Sequence, residues 1–136
     1  MSKYWIPLFS HSGTEVAELI DHTKILPHMI LTDRKKLDGM DKRLIREFVY
    51  SSDHINLMEM IYSDVTLLSN RDFLITLHGY MRIIPPEIID LPNVKIYNVH
   101  PGNIVRYPEL RGKDPQERTI KGKYPIAGVV IHEVDA

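Results

Sequence analysis

The sequence contains no cysteine, so neither a disulfide nor a thiolate metal site can be built from it. It also lacks an excess of charge of either sign: 17 basic residues stand against 18 acidic ones, a formal net charge of -1. That balance argues against a general nucleic-acid or anionic-membrane surface and leaves only local basic patches. Residues 106–123 interleave basic with acidic side chains and read as a solvated face rather than a polyanion groove. Long apolar runs are missing too, and no stretch approaches the ~18 residues that a membrane span requires. The first residues carry one lysine and a short apolar run, without the cleavage site of a signal peptide. A soluble, cytoplasmic protein without a membrane partner is expected. His100 and His132 lack the H-x-x-x-H or H-E-x-x-H spacing of a metal site, and no metal is expected.

What the chain does have is enough apolar content, 43% of 136 residues, for one packed core and a single domain. Short apolar runs alternate with amphipathic stretches. Strands are expected at residues 4–9, 29–31, 73–77, 94–99 and 128–134. Helices are expected at 14–22, with Val16, Ala17, Leu19 and Ile20 on one face, and at 41–48, with Leu44, Ile45 and Phe48. Further helices are expected at 53–62, with Ile55, Met58, Ile61 and Tyr62 inward, at 85–89 after a proline pair, and at 114–121. This order implies an α/β layered sheet with largely parallel strands. Ligands in such sheets sit beyond the carboxyl ends of the strands, where strand order reverses.

Three loops with unusual polar content follow these strands. Asn98 and His100, two residues apart on a strand end, repeat onto the same face. An amide can donate to a developing oxyanion, and an imidazole can move a proton near neutral pH, which suits acyl transfer. A loop cap and a structural histidine fit the same spacing. Ser10, His11, Ser12, Gly13 and Thr14 lie between a strand and a helix, where backbone amides form an anion site. Ser12 and Glu15 equally fit a capping box ahead of Val16. In the third loop, Gly79 allows a tight turn, and Met81, Ile83 and Ile84 can line a pocket for a flat ring or belong to the core.

In this order the loops resemble those of the folate-dependent formyltransferases, the family of the glycinamide ribonucleotide and methionyl-tRNA enzymes. Leu77 to Ile84, LHGYMRII, is similar to the family's L-A-G-F-M-R-I-L, and Asn98 to Pro101, NVHP, matches N-[IV]-H-P. Gly128 to His132, GVVIH, resembles the G-[TV]-[ST]-[VI]-H strand, and SHSGTEVAELI from Ser10 loosely resembles the family's first loop and helix.

The resemblance implies a three-layer αβα sandwich with a mostly parallel, Rossmann-like sheet. It implies formyl transfer from 10-formyltetrahydrofolate, as co-substrate, to a glycinamide ribonucleotide-like amine. Asn98 would hydrogen-bond the formyl oxygen, and His100 would stabilise or protonate the tetrahedral intermediate. Gly79, Tyr80, Met81, Arg82, Ile83 and Ile84 would grip the pterin, and Ser10, His11, Ser12, Gly13 and Thr14 would bind the acceptor's anionic part. The sequence departs from the family at Glu15, which stands where Asn is usual, and at His11, which replaces a glycine. The family's aspartate loop would fall seven positions after His132, past Ala136, so the single domain is expected to lack it. That departure opens the alternative of a catalytically incomplete folate- or nucleotide-binding module.

Overall fold

The computed structural model describes residues 3–101 and 129–133. Six strands form one sheet in the order β3-β2-β1-β4-β5-β6, with β1 at Tyr4–Phe9, β2 at Ile30–Thr32, β3 at Val49–Ser51, β4 at Phe73–His78, β5 at Val94–Pro101 and β6 at Val129–Glu133. Strands β1 to β5 pair in parallel, and β6 runs antiparallel against β5. This is the mostly parallel, Rossmann-like sheet expected. The chain winds outward from β1 to β3 and then crosses back to β4, so the order reverses between β1 and β4. These two strands pair along their whole length, from Tyr4↔Phe73 to Phe9↔His78.

Alternation along the strands divides the apolar side chains between the two faces. Ile6, Leu8, Leu31, Phe73, Ile75, Leu77, Val94 and Ile96 form one cluster with Leu57, Met58, Ile61 and Val65 of helix α2, His54–Leu67. Ile88 of the short helix α3, Pro86–Ile89, joins it. On the other face Trp5, Phe9 and Ile30 meet Val16 and Ala17 of helix α1, Thr14–Thr23, together with Leu44. Both faces of β1 and β4 are therefore covered, as a parallel sheet requires.

The helix starts are built differently. Asp53 caps α2 by accepting the Asn56 amide at 2.8 Å. The start of α1 uses no side-chain cap: Gly13 occupies that position at φ 75°. The capping box expected of Ser12 and Glu15 is not formed. Ser12 Oγ instead pairs with Thr14 Oγ1 at 2.8 Å, and Glu15 turns inward.

Two helix expectations are corrected. Residues 41–48 do not form an α-helix; Lys42–Arg46 is a short 3-10 helix, followed two residues later by β3, a strand the sequence pattern did not suggest. Only Leu44 of the expected face is buried, while Ile45 and Phe48 are 71% and 83% exposed. The chain returns to the sheet edge at Val49. Arg43 fixes the stretch by binding Asp41 at 2.9 Å, Asp21 at 3.1 Å and Glu18 at 3.3 Å, the latter two on α1. The guanidinium holds the Asp41 carboxyl down at about 2.

Helix α2 runs five residues past its expected end and buries Leu57, Met58, Ile61 and Val65, leaving Ile55 and Tyr62 exposed. The apolar residues of this stretch are spread around the helix, so periodicity alone did not identify the buried side. The helix expected at 114–121 lies outside the described residues.

Gly13 gives the fold its most specific backbone requirement. A Cβ there would lie 2.6 Å from Leu44 Cδ1 and 3.1 Å from two atoms of the Phe9 ring. Gly13→Ala combines a left-handed side-chain penalty with overpacking, each about 1–2 kcal/mol or more. Urea unfolding is expected to show a loss of at least about 2 kcal/mol; an unchanged midpoint would show that the turn is not constrained as described.

Candidate functional site

The reversal of strand order brings two loops side by side at the carboxyl ends of β1 and β4. Ser10 to Thr14 leaves β1, and Gly79 begins the turn after β4. Gly79 has φ 64°, and a Cβ on it would sit 3.1 Å from His11 Cδ2, so the loops touch closely. Arg34 secures the first loop from beneath, donating to the carbonyl oxygens of His11 at 3.0 Å, Lys36 at 3.0 Å and Asp38 at 2.8 Å. A small cavity of about 90 Å³ lies between the loops, lined by His11, Ser12, Gly13, Thr14, Glu15, His78 and Gly79.

The polar chemistry under this cavity is buried. Trp5 Nε1 donates to Thr76 Oγ1 at 2.7 Å, and Thr76 Oγ1 lies 2.8 Å from His78 Nε2. A hydroxyl oxygen can accept twice, but donation to Nε2 is what gives the Thr76 hydrogen an acceptor among the described residues. The imidazole proton then resides on Nδ1. Burial lowers the His78 pKa to about 4, which keeps the ring neutral. Burial also pushes the Glu15 carboxyl up from its ordinary value. Neither residue was singled out as functional from the sequence. The available signal was their departure from the family pattern, which has alanine at the position of His78 and asparagine at that of Glu15.

The glycine turn continues into a segment whose side chains divide. Tyr80 and Ile84 are core residues, 6% and 4% exposed, whereas Met81 and Ile83 are 76% and 88% exposed. Of Met81, Ile83 and Ile84, the core reading thus holds for Ile84 alone. His54, the first residue of α2, ties the segment down: it meets the Tyr80 hydroxyl at 2.6 Å through Nδ1 and the Ile83 carbonyl oxygen at 3.0 Å through Nε2. A carbonyl only accepts, so Nε2 carries the proton and Nδ1 accepts from Tyr80. Burial, reinforced by the Asp33 charge, raises the Tyr80 pKa and keeps the phenol protonated. Arg82 reaches Asp33 after β2 at 3.6 Å. Beside this segment lies an apolar groove of about 550 Å³, bounded by His54, Met58, Tyr62, Ile83, Pro85 and Ile88, among others.

Asn98 lies near the carboxyl end of β5, flanked in register by Leu77 on β4 and His132 on β6. It is half-buried, and its amide has no hydrogen-bond partner among the described residues. Leu77 leads through His78 into the Gly79 turn, so Asn98 is placed at the edge of the loop cluster. Position 100 follows two residues on in β5, in register with Val130. The side chains of His100 and His132 lie outside the described residues. Among the described residues no group of three or more His, Asp or Glu could hold a metal ion. No described helix is long and apolar enough to cross a membrane.

The buried histidine has a measurable consequence. Its folded pKa of about 4 lies below the ordinary 6.5, so the unfolded chain takes up the proton first as pH falls. The stability due to a neutral His78 is complete above about pH 6.5 and is lost progressively between 6.5 and about 4, by about 3 kcal/mol at the acid end. Glu15 has the opposite sign, because a raised carboxyl pKa costs stability as pH rises through its folded value. Comparing wild type with His78→Gln isolates the first effect. Denaturant titrations should show the variant with a shallower loss between pH 6.5 and 4.5, and parallel curves would contradict a buried neutral imidazole.

Comparison with known proteins agrees with this geometry. The sequence profile of the formyl transferase family matches residues 28–136. The methionyl-tRNA formyltransferase of Natranaerobius thermophilus is 34% identical over 87 residues, covering 64% of this chain and 25% of that protein. The chain thus spans a quarter of the length of that curated relative. Among solved structures, glycinamide ribonucleotide transformylase 1 from Symbiobacterium toebii superposes with a TM-score of 0.61 at 23% identity, over 98% of this chain and 67% of that one. Phosphoribosylglycinamide formyltransferase from Campylobacter jejuni gives 0.62 at 22% identity, over 99% and 75% of the two chains. The profile match takes in most of the sequence, including the glycine turn and the Asn98 strand, and this chain belongs to the formyl transferase family.

Proposed function

We propose that the protein transfers a formyl group from 10-formyltetrahydrofolate to the amine of a small acceptor of the glycinamide ribonucleotide kind. The observation that carries this is Asn98: a half-buried amide at a strand end, without a hydrogen-bond partner among the described residues, one strand from the glycine turn, in a family defined by formyl transfer. In this reaction the acceptor nitrogen attacks the formyl carbon, the carbonyl oxygen gains negative charge, and the bond to folate N10 then breaks. An amide N–H is suited to the oxyanion, because it is fixed before the charge develops. His100, two residues on, takes the role of stabilising that intermediate and passing the amine's proton towards the leaving nitrogen.

Folate binding is assigned to Gly79, Tyr80, Met81, Arg82, Ile83 and Ile84. The support is physical: His54 and the buried Tyr80 and Ile84 immobilise a backbone stretch beside an apolar groove. A rigid backbone strip next to an apolar wall suits a flat, hydrogen-bonding ring. The loop from Ser10 to Thr14 faces the acceptor. A small acceptor also accords with the balanced charge of the sequence, since a tRNA would be held through many phosphate contacts.

Asn98→Ala is expected to lower kcat by about 10²–10³-fold, the usual cost of one oxyanion donor. His100→Ala should lower it by about 10²–10⁴-fold. Both variants should retain the wild-type circular dichroism spectrum and the affinity for a non-reactive folate analogue. Near-wild-type turnover in either variant would refute its assigned role. Failure of the wild-type protein to bind the analogue would remove folate from the proposal altogether.

A further inference from the structure

Among the described residues, three buried side-chain atoms have no hydrogen-bond partner: Ser10 Oγ, Glu15 Oε2 and His78 Nδ1. They are not scattered. Glu15 and His78 line the same 90 Å³ cavity, and Ser10 precedes His11 on the loop that forms its wall. Buried polar atoms are paired in the great majority of cases, and each unpaired one costs about 1–3 kcal/mol. Two of them on residues that line one cavity, among described residues whose other buried side-chain polar atoms are nearly all satisfied, indicate a site built for an outside partner. His78 is itself only 3% exposed, so solvent does not satisfy it from the surface.

The chemistry of the two atoms on lining residues defines that partner. The hydrogen-bond chain from Trp5 through Thr76 leaves His78 Nδ1 with a proton, so it is a donor. Glu15 offers a carboxyl oxygen, an acceptor. The Ser10 hydroxyl can do either. A phosphate supplies acceptors only and would bring a second negative charge against the Glu15 carboxyl. An ammonium supplies donors only and would face the His78 N–H. A hydroxyl group both gives and accepts, so it satisfies Glu15 and His78 together without bringing a further charge into the cavity.

We propose that the cavity between the Ser10–Thr14 loop and Gly79 is a hydroxyl-recognition subsite, in which Glu15 and His78 select an acceptor presenting sugar or polyol hydroxyls there rather than a phosphate. This narrows the acceptor class in the formyl-transfer reading above and rests on it for the identity of the reacting amine. It also reverses the charge expected for this loop from family resemblance, and it does so through Glu15, one of the loop's departures from the family pattern. The volume is small enough that only the end of a larger acceptor enters, as about three water volumes would.

The test uses a matched pair, glycinamide riboside and glycinamide ribonucleotide, which differ by one phosphate. Binding is followed without folate at pH 8 through Trp5, the single tryptophan, whose indole N–H is joined to His78 through Thr76. Wild-type protein should bind the riboside at least as tightly as the ribonucleotide. Glu15→Gln should shift the affinity ratio at least tenfold towards the ribonucleotide. Glu15→Asn, which restores the family's usual residue, gives the same readout should the glutamine variant fold poorly. A tenfold wild-type preference for the ribonucleotide, a shift below threefold in the folded variants, or no binding of either ligand would each overturn the proposal. Binding of a folate analogue is scored separately, so loss of the hydroxyl subsite with folate binding intact leaves the transfer reading standing. The converse result leaves the subsite and removes the reaction.

Discussion

The pairing of β1 with β4 is the contact on which everything else in this molecule depends. Six consecutive residue pairs, from Tyr4↔Phe73 to Phe9↔His78, join segments that lie far apart in sequence. A parallel ladder of this kind cannot form locally, so its loop-closure cost is repaid only when helices cover both faces. Helix α1 supplies one cover through Val16 and Ala17, and α2 the other through Leu57, Met58, Ile61 and Val65. With the ladder in register, the chain leaving β1 and the chain leaving β4 emerge as neighbours. Gly13 and Gly79 then fold both exits back in left-handed conformations, and the loops meet across a gap too narrow for a Cβ to enter freely.

Alternation along the same two strands sets different chemistry on the two sides of the sheet. Position 77 faces the apolar cluster under α2, while 76 and 78 face α1. The α1 side holds the Trp5–Thr76–His78 chain, a line of buried polar groups ending at the small cavity. The α2 side has Leu77 beside Asn98, with Tyr80, Ile84 and His54 holding the following segment in place. Buried polar groups on the first side are sustained by hydrogen bonds to one another up to the last atom, His78 Nδ1. On the second side rigidity comes from apolar burial plus one histidine that bridges a phenol and a carbonyl.

The sequence revealed the sheet better than its coverings, for a physical reason. Residues 4–9, 73–77 and 94–99 are apolar enough to be read as buried strands, and the structure places β1, β4 and β5 there. The three-residue β3 escaped notice because Val49, Tyr50 and Ser51 are half-buried or exposed at the sheet edge, and its partner β2 supplies the order. Leu44, Ile45 and Phe48 suggested a helix because three apolar residues share a helical spacing, but tertiary packing used only Leu44. Site residues followed the same division. The turn at Gly79 and the strand end at Asn98 were visible as motifs, since backbone geometry requires particular residue types there. Glu15 and His78 were not, because nothing in the spacing of a glutamate and a histidine shows that a remote strand pairing will bring them to one cavity.

That last point separates the proposed acceptor subsite from the proposed site of formyl transfer. The amide at Asn98 is positioned by β5 and its register with β4, and none of its described neighbours belongs to the α1 loop. Glu15 and His78 sit on the opposite face, and their environment is set by Trp5, Thr76 and the start of α1. Substitutions in the α1 loop therefore alter which groups are satisfied in the small cavity, while the backbone of β5 stays where the ladder puts it. The Gly79 turn is the point common to both sides, and its left-handed conformation, closed against His11, restricts side chains there. Positions 11, 15 and 78 carry side chains that line the cavity, and these are positions at which this sequence departs from the family's pattern.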